Sequence, residues 1–235
     1  MERMRAKTCI FTGASRRSGF HTARALALVG AHVTVSGHHR AWGEEALRPI
    51  RGGLAGEPAG ARGTVRFSLV DISVQDEIRR FAEALGAEHE ALHVLVNNAG
   101  FFLDRRESAG FEMTLALNHL KDFLMTMLSL DVLRQTRNGR EERAARIVNV
   151  ASESRWGARM HFDDLAFEEA YNPGEAYGQA KLADLLFTYA LDRRLENGRV
   201  TAIACHPGFV NTRLGEDHWL VVPLLDVIHS SRQEL

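Results

Sequence analysis

Apolar positions along the chain fall into short runs that alternate with longer segments in which they recur every three or four residues. The short runs predict buried strands at 8–11, 31–36, 64–70, 93–96, 146–150 and 200–205. The longer segments predict helices at 20–29, 42–50, 73–90, 111–137 and 173–196, with a loop at 52–63. Because strands and helices alternate, the pattern predicts an α/β fold with a doubly wound parallel sheet of about six strands and helices on both faces.

The length and composition indicate a single domain over residues 1–235. With 45% hydrophobic and 25% charged residues, a chain of 235 residues can bury one large core. A formal net charge of -1 without runs of like charge gives no indication of nucleic-acid binding. The apolar run at 219–225 is too short to span a membrane, so we expect a cytoplasmic protein without an integral membrane segment. Cys9 and Cys205 fit reduced strand positions, and the scattered histidines predict no metal site.

A glycine-containing turn from Gly13 to Gly19 joins the first predicted strand to the first helix. This arrangement places the N–H groups of a helix start where they can receive a pyrophosphate. The second strand ends at 37–40, the position at which dinucleotide-binding folds contact the adenosine ribose. No acidic residue is present there, and His38, Arg40 and Arg16 suit a 2′-phosphate, so NADP is favoured over NAD. The alternative is that these cations are simply solvated.

Small and polar residues follow two further predicted strands. Asn98 and Gly100 come after the fourth strand, and Ser152 comes after the fifth. Because open α/β sheets bind ligands at the carboxyl ends of their strands, we expect these residues to lie close to the glycine turn. Asn118 is a polar residue within the predicted helix at 111–137, and a buried amide there needs partners or a role.

The helix predicted at 173–196 carries a candidate acid–base pair near its start. Asn172 is a suitable N-cap and Pro173 a suitable first residue. Tyr177 and Lys181 then lie one turn apart on the same helix face. An ammonium near a phenol favours the phenolate, so Tyr177 could titrate well below about 10 and exchange protons near neutral pH. The alternative is an ordinary tyrosine and lysine on a helix surface.

Taken together and in order, these motifs resemble the short-chain dehydrogenase/reductase family, which has a Rossmann-type fold. The matching positions are Thr12-Gly13-x-x-x-x-x-Gly19, Asp71, Asn97-Asn98-Ala99-Gly100, Asn118, Ser152, Tyr177-x-x-x-Lys181 and Pro207-Gly208. Segments 118–126, 146–150 and 177–183 are similar to the retinol-dehydrogenase-like branch. The resemblance covers residues 8 to about 214, which leaves 215–235 beyond the family-like core.

The resemblance implies an NADP-dependent oxidoreductase that acts on CH–OH groups, or as a carbonyl reductase in the reverse direction, with a lipophilic alcohol or carbonyl as substrate. Tyr177 would be the general acid and base, and Lys181 would hold it toward phenolate and bind the nicotinamide ribose. Ser152 would orient the substrate oxygen, and Asn118 would anchor a water in the proton relay. A homodimer through the two long helices is implied as well. The implied cofactor-binding residues are Gly13, Ser15, Arg16, Arg17, Gly19, His38, Arg40, Asp71, Ile72, Asn98, Ala99, Gly100, Tyr177, Lys181, Pro207, Gly208 and Thr212.

Two features depart from the family pattern. Arg17 stands where the turn usually has its middle glycine; it either strains the backbone and blocks the cofactor, or turns outward and adds a phosphate contact. Family members also continue through further helices to a seventh strand, which we expect to be missing here. Residues 215–235 would then form a short substrate lid, a subunit contact or a shallow membrane contact. The alternative function is therefore a catalytically inactive or impaired dinucleotide-binding relative that acts as a sensor or interaction protein.

Overall fold

The computed structural model describes residues 4–13, 17–56, 62–103, 111–136, 145–195 and 199–207, with only the backbone described at 17 and 18. Six parallel strands form one sheet in the order β3-β2-β1-β4-β5-β6, so the predicted doubly wound parallel sheet is confirmed. The strands are β1 Thr8–Thr12, β2 His32–Gly37, β3 Thr64–Leu69, β4 Val94–Asn97, β5 Ala145–Val150 and β6 Val200–Cys205. The helices are α1 Arg17–Leu28, α2 Arg40–Ala55, α3 Gln75–Glu88, α4 Met113–Leu115, α5 Lys121–Gln135 and α6 Pro173–Arg194. Residues 208–235, where the sequence predicts that the seventh strand is missing, lie outside the described residues.

Two hydrophobic cores lie on opposite faces of the sheet. Successive side chains of a strand point to opposite faces, so Ile10 and Phe11 of β1 belong to different cores. Phe11 packs in the core that α1 and α2 cover, together with Leu47. Ile10 packs in the core that α3, α5 and α6 cover, together with Met125. Both faces of the sheet are therefore buried, as the sequence pattern predicts.

Helix α2 is longer than its sequence predicts. It runs from Arg40 to Ala55 through Pro49, so the prediction of a loop beginning at residue 52 is wrong for its first four residues. The buried face explains the extension, because Gly43, Leu47, Ile50 and Leu54 recur at helical spacing and pack against the sheet. Tertiary burial thus outweighs the missing N–H of the proline and the low helix propensity of the two glycines that follow it.

Two further helix predictions need correction. The helix predicted to start at residue 73 begins instead at Gln75, after Val74, which makes no side-chain cap. Ser73 instead donates its backbone and hydroxyl hydrogens to Asp71. The helix predicted at 111–137 is divided into α4, a π-helical turn at Ala116–Leu120, and α5. None of the helices in the described ranges combines the length and apolar character needed to cross a bilayer.

A chain of buried polar side chains ties the adjacent strands β4 and β5 to helices that cover them. The amide nitrogen of Asn97 donates to Thr126 Oγ1 and to Asn149 Oδ1, both at 2.8 Å. Asn149 in turn donates to Thr188 Oγ1 at 2.8 Å. These bonds run from α5 across β4 and β5 to α6. Because unpaired buried polar groups are costly, they fix α6 against the carboxyl half of β5.

The chain also buries an ion pair at the start of α5. Lys121 Nζ donates to Asp122 Oδ1 at 2.5 Å, and the side chains are only 3% and 2% exposed. Asp122 Oδ2 has no hydrogen-bond partner among the described residues. Burial raises the pKa of Asp122 to about 6, against the opposing effect of the Lys121 charge.

A substitution at Gly63 tests the close packing between the start of β3 and the end of α1. A Cβ at this position would lie 1.9 Å from the carbonyl oxygen of Ala31 and 2.8 Å from that of Ala27, so the backbone would have to move. We expect Gly63→Ala to lower the free energy of unfolding by about 2 kcal/mol or more. The matched control is Gly86→Ala in α3, where nothing lies within 4 Å, and which should raise stability by about 0.5–1 kcal/mol. Chemical denaturation measures both, and equal stability of Gly63→Ala and wild type would contradict this packing.

The raised pKa of Asp122 predicts a pH-dependent stability. Between the ordinary carboxyl pKa of 3.8 and about 6, the folded state holds a proton that the unfolded state has released. The stability advantage of wild type over Asp122→Asn should therefore fall by a few kcal/mol as pH rises from about 4 to 6. Urea denaturation across this range measures it, with Asp163→Asn, an exposed carboxyl, as the control. A difference that grows with pH would contradict the burial of an incompletely paired carboxyl.

Candidate active site

The loops that follow β1 and β4 are hydrogen-bonded to each other where the strand order reverses direction. Thr12 Oγ1 accepts the backbone N–H groups of Asn98 at 3.0 Å and Ala99 at 3.2 Å. Asn98 Nδ2 donates to the carbonyl oxygens of Thr12 at 3.0 Å and Gly13 at 3.1 Å. Gly13 has a φ of +64°, and a Cβ there would lie 2.6 Å from Ala99 Cβ. Only glycine therefore suits this position, which lies in the crevice where doubly wound sheets bind their ligands.

The start of α1 borders the same crevice. Arg17 is its first residue, and Gly19 is buried in its first turn. The predicted contacts of Ser15 and Arg16 lie outside the described residues, as does the side chain of Arg17. The backbone that is described, from β1 through Gly13 to a helix start, fits a pyrophosphate site.

The carboxyl ends of β2 and β3 lie side by side, since Gly37 pairs in register with Leu69. His38 and Arg40 are exposed just beyond β2. Asp71 follows β3, where its carboxylate accepts two hydrogen bonds from Ser73. Ile72, next to Asp71, packs partly buried against the core. The structure thus brings four of the predicted cofactor-binding residues to one edge of the sheet: His38, Arg40, Asp71 and Ile72.

Helix α6 presents Tyr177 and Lys181 as the sequence predicts. Asn172 Oδ1 accepts the N–H of Glu175 at 3.1 Å, which confirms the predicted cap. Tyr177 is 7% exposed and Lys181 is 3% exposed, so the alternative of a surface pair is wrong. The ring of Tyr177 lies 5.6 Å from the ring of Phe102, which follows β4.

Lys181 is anchored at the carboxyl end of β5. Its Nζ donates to the carbonyl oxygen of Val150 and to Asp184 Oδ2, each at 3.0 Å. Burial alone would lower the pKa of Lys181, but the charges of Asp184 and Tyr177 outweigh it and raise this pKa above its ordinary value. The side chain is thus a fixed cation.

Asn118 lies fully buried in the π-helical turn, where its amide is engaged by the protein itself. Its Oδ1 accepts the N–H of Phe101 at 2.9 Å, and its Nδ2 donates to the carbonyls of Phe101 and Thr114 at 2.7 and 2.8 Å. A Cβ at Gly100 would lie 3.2 Å from Asn118 Oδ1 and 3.8 Å from Lys181 Nζ. Asn118 therefore holds the loop after β4 above the Lys181 ammonium, and a side chain at Gly100 would come into contact with that ammonium.

Ser152 is half-buried at the end of β5 and caps a 3₁₀ turn at Glu153–Arg155. Its Oγ accepts the N–H of Ser154 and donates to Ser154 Oγ, both at 3.2 Å. The turn packs on α6 beside Tyr177, because a Cβ at Gly178 would lie 2.8 Å from the carbonyl oxygen of Ser154. Ser152, Tyr177 and Lys181 therefore gather at one end of β5 and α6.

The last described residue of the site is Pro207, which is exposed just beyond β6. Its neighbour His206 lies 3.8 Å from the carboxylate of Glu153, next to Ser152. The end of β6 thus joins the same edge of the sheet. The predicted cofactor contacts of Gly208 and Thr212, and the predicted lid at 215–235, lie outside the described residues.

Two residues of the site were not identified from the sequence. Asp184 accepts a hydrogen bond from Lys181, and its other oxygen accepts His119 Nδ1 at 3.0 Å. The spacing of three residues between Lys181 and Asp184 was a usable signal, because it places both on one helix face. Phe102 carried no such signal, since its contact with Tyr177 depends on the path of the loop after β4.

Comparison with known proteins gives the family of this chain. The family model described as short chain dehydrogenase matches residues 7–219. Polyprenol dehydrogenase of Homo sapiens is 36% identical over 210 residues, covering 88% of this chain and 61% of that protein. Retinol dehydrogenase 14 of Mus musculus is 38% identical over 229 residues, covering 94% and 66%. The chain thus spans less than two thirds of the length of these curated relatives.

Solved structures agree with this result. An uncharacterised protein from Mycobacterium paratuberculosis has a TM-score of 0.72 and 34% identity, with 91% of this chain and 72% of that chain covered. A metagenomic short-chain oxidoreductase solved in complex with NADP shares the fold, with a TM-score of 0.66, 22% identity, and coverage of 87% of this chain and 83% of that chain. The chain belongs to the short-chain dehydrogenase family, within which it resembles the retinol dehydrogenases.

Proposed function

We propose that this protein transfers a hydride between NADP(H) and an apolar alcohol or carbonyl compound, with Tyr177 as the general acid and base. The observation that carries this proposal is the buried pair of Tyr177 and Lys181 at the carboxyl edge of the sheet. A phenol can donate and accept a proton as a general acid and base, and the Lys181 cation lies one turn away on the same face of α6.

The other polar residues of the site have chemistry that suits this reaction. Among the described residues, the hydroxyl of Ser152 donates only to the exposed hydroxyl of Ser154, whose place a substrate oxygen could take. Asn118 donates both of its amide hydrogens to backbone carbonyls, which leaves one lone pair of Oδ1 for a water in the proton relay. Neither group needs to change its charge during turnover.

The described residues fit a nicotinamide dinucleotide. The close approach at Gly13 and the start of α1 would hold the pyrophosphate, and Gly100 would admit the nicotinamide ribose to Lys181. His38 and Arg40 would pair with a 2′-phosphate between the end of β2 and the start of α2. When bound, NADP(H) supplies the hydride or accepts it.

Apolar side chains around Tyr177 support a lipophilic substrate. Phe102 packs on Tyr177, while Trp156 and Phe162, in the segment that joins β5 to α6, are 75% and 77% exposed. Gln179 holds this segment against α6, since it accepts the N–H of His161 at 2.8 Å and donates to the carbonyl of Leu165. The names of the relatives point in the same direction, because polyprenols and retinol are lipophilic alcohols.

Removing the phenol tests the catalytic role of Tyr177. We expect Tyr177→Phe to lower kcat for carbonyl reduction by about 100-fold or more, because the proton donor is lost, while NADPH binding is retained. Absorbance of NADPH across a panel of aldehydes and ketones measures the rate, and thermal shift measures binding. Tyr189→Phe, an exposed tyrosine on the same helix, is the matched control and should leave the rate unchanged.

The same assay separates the two functional interpretations. Equal rates for Tyr177→Phe and wild type would contradict the proposal. Tight NADPH binding without turnover of any carbonyl compound would instead support the alternative of a dinucleotide sensor.

A substitution at Arg40 tests the preference for NADPH over NADH. Because a charge-assisted hydrogen bond is worth about 1.5–3 kcal/mol, Arg40→Ala should weaken NADPH binding roughly tenfold or more and change NADH binding little. Isothermal titration with each cofactor measures both, and Arg48→Ala, an exposed arginine of the same helix, is the control. Equal loss of NADPH and NADH affinity would contradict a 2′-phosphate contact.

A further inference from the structure

The chain contains very few lysines, and two of them are buried beside the candidate active site. Only Lys7, Lys121 and Lys181 occur among 29 lysine and arginine residues. Lys121 and Lys181 are 4% and 3% exposed. Each is paired with an aspartate, Lys121 with Asp122 and Lys181 with Asp184. Because lysine is rarely buried without a partner, these two ion pairs are part of the structure of the site.

Asp184 is the partner through which Lys181 is held. It is fully buried, and both of its oxygens are used: Oδ2 accepts Lys181 Nζ at 3.0 Å, and Oδ1 accepts His119 Nδ1 at 3.0 Å. His119 is itself fixed by edge contact with the ring of Phe187. The carboxylate therefore has one orientation, set from the π-helical turn on one side and by Lys181 on the other.

Few other described groups can stabilise the charged form of Lys181. The carbonyl of Val150 on β5 accepts a second hydrogen bond, but it carries no net charge. From α5, Asp122 faces Lys181 but already accepts Lys121, whose own charge opposes that of Lys181. From its own helix, Tyr177 acts on Lys181 only when it is ionised. Asp184 is thus the permanent counter-charge.

We propose that Asp184 is a positioning residue for the reaction proposed above: its carboxylate, fixed by His119, keeps Lys181 protonated inside the protein and aligned on the face of α6 that carries Tyr177. The inference rests on the proposed function for its catalytic meaning. The effect of Asp184 on the charge of Lys181 does not depend on turnover, because burial disfavours a lysine charge whether or not a substrate is present. Asp184 itself touches no reacting atom.

A merely structural ion pair would behave differently. If Asp184 only joined two turns of α6, its neutral isostere would lower stability but leave kcat of the folded enzyme unchanged. The positioning role instead predicts that the neutral isostere both releases the Lys181 proton at a lower pH and lowers kcat. Removal of both charges should then restore stability, because neither is left buried alone.

The primary test is the titration of Lys181 by NMR in the full chain. Three lysine ε-CH₂ signals are expected, and Lys7→Arg and Lys181→Met assign them. In wild type the Lys181 signal should remain that of the charged form up to about pH 10. In Asp184→Asn, which keeps the shape and one acceptor oxygen, its midpoint should fall below about pH 10. Asp192→Asn, the same change eight residues further along α6 at an exposed carboxyl, should leave the Lys181 signal unchanged.

The stability of the double variant covers the case in which a single variant folds poorly. The Tm of Asp184→Asn with Lys181→Met should exceed the Tm of each single variant. An unchanged Lys181 titration in folded Asp184→Asn, or a double variant less stable than both single variants, would overturn the proposal.

Activity supplies the second readout and separates this inference from the proposed function. With saturating NADPH at neutral pH, Asp184→Asn should lower kcat about tenfold or more and leave KM for the carbonyl substrate within about twofold, while Asp192→Asn matches wild type. Equal kcat in Asp184→Asn and wild type would overturn the positioning role. Absence of turnover in wild type would overturn the proposed function alone, since the NMR titration would still decide the role of Asp184.

Discussion

The burial of one ammonium group, that of Lys181, is the constraint on which the candidate site depends. A cation with 3% exposure needs a counter-charge and hydrogen-bond acceptors, which Asp184 and the carbonyl of Val150 provide. Asp184 lies on α6 itself, whereas the carbonyl of Val150 is within reach only because α6 lies against the end of β5. The chain of buried amides and hydroxyls from Asn97 to Thr188 holds the helix there. The acid–base role proposed for Tyr177 thus depends on how a helix is fixed to a sheet.

The opposite side of the site is shaped by close backbone approach. Thr12 and Asn98 bond the loops after β1 and β4 to each other, and Gly13 and Gly100 leave room where any side chain would intrude. These contacts lie at the reversal of strand order, where an open sheet provides a crevice. A dinucleotide in this crevice would have backbone amides on one side and the fixed cation of Lys181 on the other. The sheet therefore positions both halves of the proposed reaction.

Much of this arrangement follows from the sequence, because local patterns determine it. Alternating apolar runs and helical segments predict the six strands and the layers, and the cap at Asn172 sets the start of α6, hence the shared face of Tyr177 and Lys181. The length of α2 could not be predicted, because burial against the sheet outweighs Pro49. Nor could the π-helical turn around Asn118, which depends on tertiary packing rather than on periodicity.

The role of Asp184 could not be predicted from the sequence, for a different reason. Its position three residues after Lys181 was visible, but its burial with His119 became clear only once α6 and the π-helical turn were packed together. The preference for NADP, the homodimer and the cytoplasmic location stay predictions. The contacts of Ser15, Arg16, Gly208 and Thr212 lie outside the described residues and also stay predictions.

Transfer of a label tests most directly whether the site built around the buried Lys181 and Tyr177 transfers a hydride. NADPH that carries deuterium at C4 of the nicotinamide ring is incubated with a lipophilic ketone, and the alcohol is analysed by mass spectrometry. The account predicts that wild type delivers the deuterium to the carbonyl carbon, and that Lys181→Met, with NADPH still bound, delivers far less. Transfer at the same rate by both proteins, or by neither while NADPH is bound, would contradict it.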